Sequence, residues 1–265
     1  MAIRPHHLVV VAVALLGLGT VGLATYRYLG QHRPEARSIP DRQVFDRSAL
    51  IAELGDAGFR LGASAHVRIF KREKRLELWL ARDDGRYGLF KDFDICTYSG
   101  GLGPKLKEGD KQAPEGFYRV GLKQLNPASR HHLSFNLGFP NAFDAQLGRT
   151  GSALMVHGGC SSVGCFAITD EGVDAVYAVV EAALKHGQEA VDVAVFPFRL
   201  TATALAEQGS SPWLGFWRNL KQGYDLFEAD FIPPAVGACQ GEYRFGRDFT
   251  DSAEDARCAA IAAWS

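Results

Sequence analysis

His157, Cys160 and Cys165 lie within one short run, His157-Gly158-Gly159-Cys160-Ser161-Ser162-Val163-Gly164-Cys165, set among glycines and small hydroxyl residues. A cysteine nucleophile needs a base to take its proton, and the carbonyl it attacks needs N–H donors close to its oxygen. Glycines let the backbone come that close, because they tolerate angles other residues avoid. Gly158 and Gly164 are therefore expected to help form an oxyanion region. Three chemistries compete for this run. In the first, Cys165 is the nucleophile and His157 its base. The ordinary thiol pKa of about 8.5 must then fall, and a nearby imidazolium or helix N-terminus would lower it. Cys165 lies four residues before Thr169, where a helix is expected to start, so it can sit near that positive end. In the second, His157, Cys160 and Cys165 bind zinc, although no fourth ligand is evident and Cys-x4-Cys is not a standard finger spacing. In the third, Cys160 and Cys165 form a disulfide and His157 is a packed strand-end residue. The residues alone leave all three open.

An apolar strand, Ala153–His157, is expected to lead into the run. The segment Asp170 to Lys185 is expected to follow as a helix. Val173, Val176, Tyr177, Val180 and Leu184 form its apolar stripe, Thr169 can cap it and Gly187 can end it. Upstream, a short helix is expected over Ser48–Phe59. Strands are expected at His66–Phe70, Arg75–Ala81, Tyr87–Phe90, Ile95–Ser99, Gly116–Leu122 and Leu133–Gly138, with another at Val191–Phe198. The basic cluster Lys71–Arg75 reads as the solvated tip of a hairpin. Gly100 to Pro114 reads as a loop, and no Gly-Lys-Ser/Thr ending makes it a phosphate cradle. Pro212 to Glu228 reads as a helix whose aromatic stripe, including Trp213, Trp217 and Tyr224, belongs to a core. His131 and His132 precede a strand and receive no role. The fold class is mainly β with flanking helices, α+β.

The chain has 265 residues, of which 47% are hydrophobic, enough to bury a substantial core. Its net charge of −1 and pI near 6.7 argue against a polyanionic partner such as nucleic acid. Leu8 to Thr25 is an uncharged apolar run that would span roughly 27 Å as a helix. It is expected to be an inner-membrane signal anchor, with a cleavable signal peptide as the competing reading. Either exports the rest of the chain. Export into an oxidising compartment leaves at least one of five cysteines unpaired. Cys239 and Cys258 are placed to close a small loop, and Cys96 reads as a small buried hydrophobe.

These residues resemble the L,D-transpeptidase family with its YkuD-type catalytic domain, and in particular its YafK-like branch. His157-Gly158 is similar to the family's first element and Ser162-Val163-Gly164-Cys165 to its Ser-His-Gly-Cys element. The spacer between them is short and Val163 stands where a second histidine is usual, as in that branch. Gly103-Pro104-Lys105, Gly109-Asp110 and Ala113 to Tyr118 also resemble family segments, as do Ser134 to Asp144 and Gly148 to Gly151. The resemblance implies a β-sandwich-like catalytic domain over 48–235, preceded by an anchor or signal (1–25) and a tether (26–47), and followed by a C-terminal extension (236–265). It implies Cys165 as nucleophile, His157 as base, and Ser162 and Gly164 shaping the oxyanion and acyl-donor region. Arg149 and Lys105 are candidate contacts for substrate carboxylates. No metal or other cofactor is expected. The implied setting is the periplasm of a Gram-negative bacterium, with peptidoglycan stem peptides as substrate and peptidoglycan-attached lipoprotein as a further partner.

Overall fold

The computed structural model describes residues 45–246 and 258–264. The apolar run 8–25 and nearly all of the 26–47 tether lie outside these residues. Among the described residues no helix is long and apolar enough to cross a membrane.

Three sheets carry the fold. The largest has five strands: β1 (Ala65–Phe70), β2 (Arg75–Ala81), β3 (Tyr87–Asp94), β4 (Gly116–Val120) and β9 (Val191–Phe196), in the order β3-β2-β1-β9-β4. All of its pairings are antiparallel except β1 with β9. A second sheet runs β5 (Leu125–Asn126), β6 (Ser134–Asn136), β7 (Met155–His157), β8 (Phe166–Ala167), with β7 and β8 parallel. The third orders β11 (Glu242–Gly246), β10 (Ala235–Cys239) and β12 (Cys258–Ala260). The helices are α1 (Arg47–Asp56), α2 (Ala142–Gln146), α3 (Asp170–Lys185), α4 (Ala202–Ala206) and α5 (Leu214–Asp230). Mixed sheets with a few helices agree with the expected α+β class.

Strand alternation divides the core in two, because successive side chains point to opposite faces. Val67, Ile69, Val193 and Val195 turn one face of the large sheet toward α3 and the second sheet, whose Phe135, Val156 and Phe166 complete that cluster. Phe70, Phe117, Ala194 and Phe196 turn the other face toward α5 and the third sheet, which contributes Ala238 and Tyr243, joined by Ile261 just after β12. Both faces are covered, so every residue of β1 is buried. The segment after residue 235 thus supplies part of a core.

The helix α3 has the bounds read from its sequence. Thr169 Oγ accepts from Gly172 N at 3.0 Å, Asp170 and Glu171 occupy the first turn and Lys185 the last, all favourable to the helix dipole. Elsewhere the structure corrects the reading. Ile95–Ser99 forms no strand, only a single bridge from Thr97 to Ala167. Lys71 is not solvated. Its ammonium is fully buried, donating to Glu115 Oε1 at 2.9 Å and to the carbonyls of Gly103 and Ala113. Glu115 also accepts from Gly103 N at 2.7 Å and from Trp217 Nε1 at 2.8 Å. This buried hub fastens the 100–114 loop to β1, β4 and α5.

Candidate active site

The strands β7 and β8 place the two candidate groups. Their parallel register pairs Val156 with Phe166 and His157 with Ala167. Val156 and Phe166 are fully buried in the first core. The register continued back by one residue sets Cys165 beside Met155, whose N–H lies 3.4 Å from Cys165 Sγ. Side chains two apart on a strand share a face. Cys165 and His157 therefore project from the same face, opposite the core.

The cysteine pairing narrows the three chemistries. Cys96 is bonded to Cys160 and Cys239 to Cys258, leaving Cys165 free. The Cys160–Cys165 bridge is ruled out, and a zinc site built on Cys160 loses that ligand. Cys96 is a bridging residue and not a buried thiol, whereas the expected Cys239–Cys258 link is present. The Cys96–Cys160 bond ties the motif to the segment after β3. Ser99 of the same segment accepts from Gly164 N, and its hydroxyl donates to Lys111 O at 2.6 Å.

Cys165 rests as a neutral thiol. Its Sγ donates to Ala153 O at 3.4 Å. Burial pushes the thiol pKa up, against the Met155 N–H, the Ser162 hydroxyl and the charge of Lys105. Phe166 and Ala167 of β8 and Ile168 separate Cys165 from the Thr169 cap of α3 in the chain. His157 is only 3% exposed. Burial holds its pKa below the ordinary imidazole range; its Nδ1 contact with Gly158 O at 2.7 Å opposes this, and the charge on His131 adds to it. With Nδ1 donating to that carbonyl, Nε2 is left as the basic nitrogen. Among the described residues no hydrogen bond joins this ring to Sγ. The resting pair is a neutral thiol with a neutral imidazole.

The remaining expected site residues divide. Ser162 is beside Cys165, its Oγ accepting from Cys165 N at 3.0 Å. The glycine amides are already engaged: Gly158 N donates to the carbonyls of His131 and Leu133, and Gly164 N to Ser99. The amides of Ser162 and Val163 have no partner among the described residues, and Val163 is 70% exposed. Arg149 is buried and committed inside the fold. Its Nη1 donates to Asp144 Oδ1 at 2.8 Å and its guanidinium lies over Phe143 and Phe216. Lys105 is close enough for its charge to act on Cys165, and Asp110 holds it at 2.5 Å. His131 and His132 receive no role from sequence, yet the His131 ring lies against His157 and His132 bonds Asp174 of α3. Their only local signal was adjacency to a strand that pairs with β7.

No protein-family model matches the sequence. The chain is 43% identical over 183 residues to the Escherichia coli K12 protein named "Putative L,D-transpeptidase YafK", covering 69% of this chain and 74% of that one. The same identity and coverage hold for the protein of that name in E. coli O157:H7. Among solved structures, the helical cell shape determining protein Pgp2 of Campylobacter jejuni aligns with a TM-score of 0.40 at 18% identity. That alignment covers 71% of this chain and 79% of the other.

Proposed function

Because this chain belongs to the L,D-transpeptidase family, we propose that it is an exported cysteine enzyme of the cell envelope that acts on peptidoglycan stem peptides. The free Cys165 carries the proposal, on the same sheet face as His157 while the other four cysteines are paired. In the first half-reaction His157 Nε2 takes the Sγ proton as sulfur attacks a stem-peptide carbonyl. The tetrahedral intermediate collapses, the imidazolium gives its proton to the departing amine, and a thioester remains on Cys165. The unpartnered Ser162 and Val163 amides are the available oxyanion donors. In the second half His157 deprotonates an incoming amine or water, which displaces the thiolate. An amine gives transpeptidation. Water gives hydrolysis, including release of lipoprotein attached at the same linkage. The apolar run 8–25 supports a periplasmic, inner-membrane-anchored setting. Arg149 has a scaffold role in this reading, and Lys105 favours the thiolate.

Two observations favour a second reading, a silent protein that binds peptidoglycan through the same site. The thiol pKa is raised and the motif's glycine amides are occupied. The full chain and its Cys165→Ala variant, incubated with sacculi carrying bound lipoprotein and with tetrapeptide muropeptides, decide by mass spectrometry. New cross-links or exchanged terminal residues lost in the variant establish a transpeptidase. Freed lipoprotein or shortened stems without new bonds establish a hydrolase. Binding without either product, equal in both proteins, establishes the silent reading.

A further inference from the structure

The turn before β6 carries two adjacent histidines that point to different partners. His132 sits at φ 69, in the left-handed region that non-glycine residues rarely adopt. Its Nε2 lies 2.6 Å from Asp174 Oδ1 on α3, which pins the turn to that helix. The turn so held brings His131 onto the base in two ways. The His131 carbonyl accepts from Gly158 N at 3.1 Å, at the residue after His157. The His131 ring lies against the His157 ring, with centroids 4.6 Å apart and planes 33° apart. His131 is exposed whereas His157 is buried, so His131 forms the solvent-side wall over the base. The Nδ1 contact with Gly158 O ties one edge of the His157 ring. A ring tied at one edge can still tilt about that contact, and a second ring on its face limits the tilt.

We propose that His131 is a positioning residue for His157, capping the base imidazole and holding the plane in which its Nε2 works. The proposal rests on the reading of His157 as the base of Cys165. It has an electrostatic counterpart. Positive charge on His131 opposes charge on His157, adding to the effect of burial. The other charged groups around the base are engaged elsewhere. On α3, Asp170 accepts from Gly159 N and Asp174 holds His132, while Lys105 from the 100–114 loop acts on Cys165, just before β8. Exchanging His131 for an uncharged ring should therefore let the His157 pKa rise, and the acidic limb of the rate should move to higher pH.

The test is steady-state turnover of a tetrapeptide muropeptide across pH, using the full chain in detergent, with Cys165→Ala run alongside. For His131→Ala, kcat should fall about tenfold with KM and melting temperature unchanged, since a small misplacement of a catalytic group costs rate before binding. For His131→Phe, most of the plateau kcat should remain while the acidic limb shifts upward. The proposal is overturned if His131→Ala keeps both the wild-type kcat and the wild-type limb, or if only KM rises, which would make His131 a substrate contact. Activity surviving in Cys165→Ala overturns the cysteine reading and this proposal with it. Activity lost in Cys165→Ala but unaltered by His131→Ala overturns this proposal alone.

Discussion

Two lysine–carboxylate pairs border the same loop and serve different ends. Lys71 and Glu115 are both fully buried, and their hydrogen bonds run to the loop backbone and to Trp217. Lys105 and Asp110 lie nearer the surface, with side-chain exposures of 4% and 16%, and Lys105 is the charge felt by Cys165. Desolvation sets the difference. Burial lowers the Lys71 pKa, against the opposing pull of Glu115, so that pair is held by geometry and full satisfaction of its bonds. Burial pushes the Asp110 carboxyl up, but hydrogen bonds from Lys105 and from the amides of Lys107, Leu106 and Gln112 outweigh it and hold its pKa at about 2. The deep pair fixes the loop, and the shallow pair presents a cation to the thiol.

That contrast makes the deep pair the most sensitive to loss. Lys71→Met should cost about 3–5 kcal/mol in denaturant unfolding, because it strands a buried carboxylate, while folded protein keeps its Cys165 alkylation rate. A cost under about 1 kcal/mol would erase the distinction. Next comes the covalent tether to the same neighbourhood. Breaking Cys96–Cys160, which spans 64 residues, by double serine substitution should lower stability by about 3 kcal/mol. Measured by the same unfolding assay, unchanged stability would show that the non-covalent contacts already hold the motif. The shallow pair has its own pH signature. A carboxyl lowered on folding contributes stability above its ordinary value of 3.8, lost as pH falls toward 2. Acid unfolding should show about 2 kcal/mol of such loss, and Asp110→Asn should remove that part of the slope. The smallest effect is the most specific. Lys105→Met should slow iodoacetamide alkylation of Cys165 near neutral pH by a few-fold, about 1 kcal/mol, and shift its rise further into the alkaline range. If it instead destabilises the fold as much as Lys71→Met with alkylation unchanged, both pairs are scaffolding.

What could be read from the sequence was local. The bounds of α3 follow from a cap at Thr169, a regular apolar stripe and Gly187, all within twenty residues of one another. The alternation of Leu76, Leu78 and Leu80 likewise marks β2. Cys165 and His157 stood out because a thiol and an imidazole lie in one short run of glycines and small hydroxyl residues. What stayed hidden depends on distant partners. Lys71 sits in a basic run that looks solvated, and its carboxylate is 44 residues away. Cys160 has Cys165 as its near neighbour in sequence but bonds to Cys96. The strands β5 and β8 have two residues each and the helices α2 and α4 five, too few to display a period. His131 and His132 gained meaning only once β6 paired with β7 and brought the preceding turn against Gly158.

The parallel pairing of β7 with β8 bears on how such a site can change over time. The alignment of two neighbouring strands sets His157 and Cys165 on one sheet face, and the number of residues in the connection between them does not enter. Extra residues inserted between Cys160 and Ser162 would lengthen a surface excursion, at an entropic cost of about 0.6 kcal/mol for each doubling, and leave the pairing of β7 with β8 where it is. A shift of β8 by a single position would do the opposite, turning the thiol into the core and Phe166 out to solvent. The segment is therefore open to insertions and closed to slippage.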